Sequence, residues 1–160
     1  MALKPDRRIF ADTIDFFMDE TATRGGFVVL STVGSGAAMD QGEALVTYAT
    51  APSGKLPLGC LMQDMVNKDL TQTHLNFHKD EVQKGGKVWV ATHGVVTTDM
   101  IYPGVSPAVN KVAYLTTSGL LTTTDTNTHA SPIIGTFLSS KDADGYAKVS
   151  FNLPQATPRL

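Results

Sequence analysis

From Arg24 onward the chain is cut into short apolar and Thr-bearing runs by Gly, Pro, Asn, Asp and Ser, and this rhythm limits the fold more than any other feature. "FVVLSTV" (27–33) suits a buried strand and is ended by "GSG"; "ALVTYAT" (44–50) alternates as a second strand and is ended by "APSG". "LPLGCLMQDMV" (56–66) follows, where Pro57 and Gly59 mark a strand start or a bulge rather than a central strand interior. "THLNFH", "KVWVAT", "VVTTDMI", "KVAYLTT", "LLTTT", "PIIGTFL" and "AKVSFNL" continue the pattern. Their branched and flat side chains fit a pleated, half-buried surface. No window after Arg24 carries the apolar spacing of a long amphipathic helix. The expectation is a mainly β protein, a small barrel or sandwich built from short hairpins.

The same hairpin formula recurs. "KVWVATHGVVTTD" (87–99) and "KVAYLTTSGLLTTT" (111–124) both run Lys-Val, a short strand, a Gly-bearing corner, two aliphatics and paired threonines. At longer range, residues 42–62 and 110–140 share a strand, a Ser-Gly corner at Gly54 or Gly119, an aliphatic strand and a Pro-aliphatic-Gly element. The sharper match is "PLGCLM" (57–62) with "PIIGTFL" (132–138). This predicts a β body over residues 24–153 containing two related units, about 24–66 and 73–153; the competing explanation is that all small hairpins look alike. Residues 154–160 are then a C-terminal tail.

Residues 1–23 differ and are expected to form an N-terminal arm. Ile9, Phe10, Ile14, Phe16 and Phe17 are its candidate contact residues. Ile14, Phe16 and Met18 alternate with Asp15 and Phe17 as in a strand, while Phe10, Ile14 and Phe17 partly meet helical spacing, so periodicity leaves both open. Such an arm docks either on its own core or on a neighbour.

Candidate chemistry is sparse. A chain of 160 residues can bury a sufficient core without staples. Its net charge of -2, with no Lys/Arg block, argues against a nucleic-acid groove or an anionic-membrane surface. Cys60, the one cysteine, stands in apolar "PLGCLM" and is expected to be a buried, inert thiol. The first 17 residues lack the apolar core of a signal peptide, which points to a reducing, aqueous compartment. His74 and His78 have ligand-like spacing, but the strand period of "HLNFH" separates them by roughly 13 Å, too far for one ion. Gly34 and Gly36 imitate the start of a dinucleotide fingerprint, yet Met39 stands where its third Gly belongs. There is no Gly-x-Ser-x-Gly elbow. Asp64, Asp69, Asp80, Glu81 and Asp99 read as solvating or capping groups. "KDADG" (141–145) is too short for a Ca²⁺ loop and reads as a hairpin turn. Trp89 reads as core or interface packing rather than a ligand platform. No cofactor and no metal site is expected.

The stretch "NFHKDEVQKGGKVWVATHGVVTTDMI" and the downstream "AYLTTSGLLTTT…PIIGTFLSSKDADGYAKVSFNL" resemble tailed-bacteriophage capsid decoration proteins, also called head-decoration or cement proteins. The likeness covers about half the chain, residues 76–153, and rests on the order of its pieces. These are a Gly-Gly-Lys-Val strand start, a Gly-aliphatic-aliphatic-Thr-Thr element, Tyr-Leu with Ser-Gly, Ile-Gly, and a final Val-x-Phe-x-Leu strand. The resemblance implies a non-enzymatic virion protein, made in the host cytoplasm, that binds the capsid exterior and stabilises it by bridging capsid subunits. Its partners would be the major capsid protein and further copies of itself, with a trimer favoured. The alternatives are a phage tail-tube, adaptor or fibre component, and a small β-barrel ligand-binding protein.

Overall fold

The structure, a computed structural model, describes residues 9–31, 45–50, 55–67, 81–125 and 131–154, with backbone alone for 9–14. All regular structure among the described residues is β: β1 (Ile9–Met18), β2 (Phe27–Leu30), β3 (Leu45–Tyr48), β4 (Pro57–Leu61), β5 (Asp64–Val66), β6 (Glu81–Gln83), β7 (Lys87–Thr98), β8 (Val112–Leu115), β9 (Leu121–Thr122), β10 (Ile133–Phe137) and β11 (Ala147–Asn152). The mainly β expectation holds. The stretch with His74 and His78, the Gly34–Gly36 turn, Asp69, Asp80 and Gly54 lie outside the described residues.

Five strands close a barrel. β1 pairs β3 in parallel, β3 pairs β2, β2 pairs β4, β4 pairs β7, and β7 returns to β1, the last four antiparallel. Closure gives each barrel strand a neighbour on both sides, with β1 meeting β3 at Phe17 and Met18. Each barrel strand sends a residue into one cluster: Met18, Val46, Val28, Leu61, and both Val88 and Val90. All six are at most 1% exposed, so side chains fill the interior. The parallel pair β5–β6 and the Ala22–Met65 bridge cover one end of it. Alternation explains the assignment, because Val88 and Val90 face inward while Lys87 and Trp89 between them face out.

β7 joins this barrel to a second unit. Along one edge it holds β1. Along the other it holds β4 through Ala91 and Val90, then β11 from His93 to Thr98. The second unit continues β11–β10–β8–β9. It bends back to the chain leaving β7, where Leu121 pairs with Ile101. A larger core fills the second unit and the seam, from Phe27, Cys60 and Ala91 to Leu115, Ile134, Phe137, Val149 and Phe151. Each fully buried Leu, Ile, Val or Phe stabilises by roughly 1.5–3 kcal/mol through apolar area removed from water.

β7 corrects the hairpin reading of residues 87–99. It runs through Gly94 without turning, and the feature at that point is a bulge. Thr92 is the extra residue against β1, and Gly94 has φ +138°, a backbone state that favours glycine. The bulge resets the alternation, so Ala91 and Val96, an odd number apart, both face the larger core. Residues 111–124 do form a hairpin, β8 to β9, with Gly119 at φ +79° in its turn.

The two-unit division also changes. Of the two expected docking sites for the arm, residues 9–18 take their own core: β1 is a barrel strand and Met18 is fully buried. The barrel reaches past residue 66 to borrow the first half of β7. The units therefore share one sheet and one spine. The Pro-aliphatic-Gly match has a structural counterpart. In β4 the ladder skips Leu58 just before Gly59, and in β10 it skips Ile134 just before Gly135. Both glycines lie where a neighbouring carbonyl comes close. A Cβ would stand 2.3 Å from Ala91 O at Gly59 and 1.9 Å from Ser150 O at Gly135.

Candidate functional site

With the barrel interior filled, the side chains available to a partner are on the outside. Large apolar side chains exposed there are Trp89 on β7, Val112 on β8, and Leu30, Leu56, Tyr102, Val109 and Leu138. Trp89 is 53% exposed. Its backbone N–H donates to Gln63 Oε1 at 3.1 Å, and its carbonyl accepts from Met62 N at 2.9 Å, which fixes that point of the ladder. Of the two expected roles for Trp89, core or interface packing, its exposure removes the first. Its neighbours Val88 and Val90 take the inward positions, so strand period turns the indole to solvent. The alternating "KVWV" carried this signal.

The antiparallel ladder sets four outward residues together. Asp15 lies opposite Trp89, and Phe17 lies opposite Lys87. Asp15, Lys87 and Trp89 are exposed and Phe17 is half-buried. The Lys87 ammonium is 5.3 Å from the Phe17 ring centroid, a cation–π distance.

The candidate arm residues divide. Phe17 belongs to this outer face. Phe16, on the opposite side of β1, packs against the barrel cluster. The backbones of Ile9, Phe10 and Ile14 pair with Val95, Gly94 and Val90, while their side chains lie outside the described residues. The segment over residues 9–18 is built into its own sheet as a strand, and both alternatives left by periodicity are resolved there.

A second feature is an open groove of about 460 Å³ lined by Thr21, Ala22, Thr23, Tyr48, Asp64, Met65, Val66 and Glu81. Its chemistry is already engaged. The Tyr48 hydroxyl both donates to Thr23 O and accepts from Thr23 N. Burial pushes that hydroxyl up to about 12 against the opposing effect of these bonds. Asp64 Oδ1 accepts the Arg24 backbone N–H at 2.8 Å, and its Oδ2 lies 3.8 Å from Arg24 Nε. Arg24 is buried, so the carboxylate balances a charge held away from water. Glu20 Oε1 accepts from Thr47 Oγ1 and Tyr48 N, both at 2.5 Å, and holds β3. These groups tie the β1–β2 connection to β3 and β5.

Cys60 is buried in the larger core, and burial pushes its thiol up to about 12. The "KDADG" stretch is the expected hairpin turn between β10 and β11: Asp142 Oδ1 accepts from Asp144 N at 3.0 Å and Tyr146 N at 2.9 Å. Among the described residues no three His, Cys, Asp or Glu side chains converge as a metal site. A scan against protein-family models finds no match for the chain, and a search of curated proteins finds none either.

Proposed function

We propose that the protein is a structural virion component that binds the outside of an assembled tailed-phage capsid and stabilises it by bridging capsid subunits. Its partners in this reading are the major capsid protein and further copies of itself, and no residue is catalytic. The observation that carries the reading is the combination of a filled interior with apolar side chains turned outward. Met18, Val28, Val46, Leu61, Val88 and Val90 occupy the barrel interior, while Trp89, Val112 and Leu138 stand on the outer surface. This favours a surface-binding protein over a barrel that takes a small ligand. The residues that carry the resemblance to decoration proteins support it further. Lys87–Val88, Tyr114–Leu115, Ile134–Gly135 and Val149–Phe151 fall in β7, β8, β10 and β11, neighbours in one sheet.

The physics of such a clamp is linkage. A protein that binds the assembled lattice more tightly than separated subunits shifts assembly toward the shell, and many copies multiply the effect. Sheet closure around a shared spine supplies the stiffness that a clamp requires.

Heat-triggered genome release tests the proposal. Particles lacking the protein should release DNA at a lower temperature, and added protein should restore the higher one. No restoration, with the free protein forming rings or rods by electron microscopy, would move the assignment to a tail-tube or fibre component.

A further inference from the structure

From the outer face of the β1–β7 ribbon, we propose that Asp15, Phe17, Lys87 and Trp89 form a two-fold contact with a second copy of this chain. Asp15 faces Trp89 across the ladder and Phe17 faces Lys87, so the four residues stand at the corners of a rectangle. Directly opposite cross-strand side chains lie about 5 Å apart, and residues two apart along a strand about 7 Å. One diagonal is aromatic, Trp89 to Phe17. The other is ionic, Asp15 to Lys87.

This pattern is complementary to itself. Rotate a second copy by a half-turn about an axis lying along the aromatic diagonal. Trp89 then meets Trp89 of the second copy, and Phe17 meets its own counterpart. Asp15 meets Lys87 of the second copy, and Lys87 meets Asp15 of the second copy. Each charge then faces an opposite charge of the second copy, as an isologous contact requires. An axis along the ionic diagonal would instead set like charges together, so the charge pattern excludes that arrangement. The strands of the two copies then cross at roughly 70°, closer to the orthogonal than to the aligned packing of two sheets. The indole supplies the kind of rigid, amphipathic anchor that dominates interface energetics. The inward positions of β1 and β7, not these outer four, supply the barrel cluster. This pairing is independent of the shell-binding reading. A two-fold contact joins copies in pairs and so adds to any trimer.

Trp89 is the one tryptophan of the chain, which makes its emission a direct reporter of the contact. Sedimentation equilibrium of the intact free protein over a wide concentration range should show the mass doubling. Trp89 emission should move to shorter wavelength, and acrylamide quenching should fall, over the same range. Asp15→Lys and Lys87→Asp should each weaken association by about tenfold or more. The double charge swap should restore it to within about threefold of wild type, and thermal melts of each single variant unchanged from wild type separate this rescue from the restoration of a diagonal pair within one chain. A monomer at all concentrations would overturn the proposal, as would mass doubling with unchanged Trp89 emission. Trp89→Ser that abolishes shell binding while the wild-type free chain stays monomeric would assign the patch to the capsid instead. Pairing is measured without shells, so a failure of shell binding leaves the pairing result unchanged.

Discussion

The ring of Phe27 meets the ring of Phe151 edge-on, with centroids 5.5 Å apart and planes at 90°. Phe27 belongs to the barrel strand β2 and Phe151 to β11, so the contact lies across the seam between the two units. The larger core spans that seam without a break, from Cys60 and Ala91 to Val149 and Phe151. Phe151→Ala should therefore cost about 3–5 kcal/mol, as for other large-to-small changes in a filled core. Urea unfolding of both the variant and the wild type should remain one cooperative transition by fluorescence and circular dichroism. Two separated transitions would show that the units fold independently.

Removal of residues 1–18 should unfold the barrel rather than trim a loose arm. The cut takes β1 from between β3 and β7 and removes the buried Met18. The remaining β3 and β7 would expose unpaired edges, which promote aggregation. The expected product is insoluble or lacks a cooperative melt. A soluble truncated protein with wild-type circular dichroism and melting would show that β1 is dispensable.

Gly135→Ala should destabilise by roughly 1–3 kcal/mol or more, because its Cβ would fall 1.9 Å from Ser150 O and backbone must move to admit it. Gly145→Ala provides the contrast. No atom lies within 4 Å of the added Cβ there, and the cost is that of φ +88°, about 1–2 kcal/mol. Chemical denaturation of the pair should rank Gly135→Ala as the worse, and Gly145→Asn as milder than Gly145→Ala.

Stability should fall in alkali. Cys60 is raised from 9.0 to about 12 by burial, and Tyr48 from 10.0 to about 12, also by burial. The unfolded chain releases these protons near pH 9 and 10, while the folded chain holds them to about 12. The unfolded state thus binds fewer protons in that window, and stability declines with rising pH across it while being fully present below it. Urea midpoints from pH 7 to 11 should show this decline, with Cys60→Ala reducing the part that begins near 9 and Tyr48→Phe the part near 10. An unchanged slope in both variants would contradict the assignment. The Cys60 thiol should also react with a thiol reagent only as fast as the protein unfolds.

What the sequence revealed was local. The Asp142 turn, the bulge around Pro57–Gly59, the apolar burial of Cys60 and the strand alternation of Phe16 and Met18 each follow from residues within a few positions of one another. What it concealed was long-range. Gly94 followed by Val95 and Val96 looks the same in a hairpin corner and in a bulge; pairing with β1 on one side and β11 on the other decides between them. The place where the arm docks was hidden for the same reason, since nothing within residues 1–23 indicates that β3 and β7 leave a place for β1. Trp89 is the intermediate case. Its outward position was present in the alternation of Lys87 to Val90, but a large aromatic between two valines resembles core.

Co-sedimentation of the purified protein with mature, undecorated capsids and with unassembled capsid subunits decides the shell-binding proposal. Saturable binding to shells, at a copy number set by the lattice and with little binding to free subunits, is the predicted result. Equal binding to both, or none to shells, would contradict it.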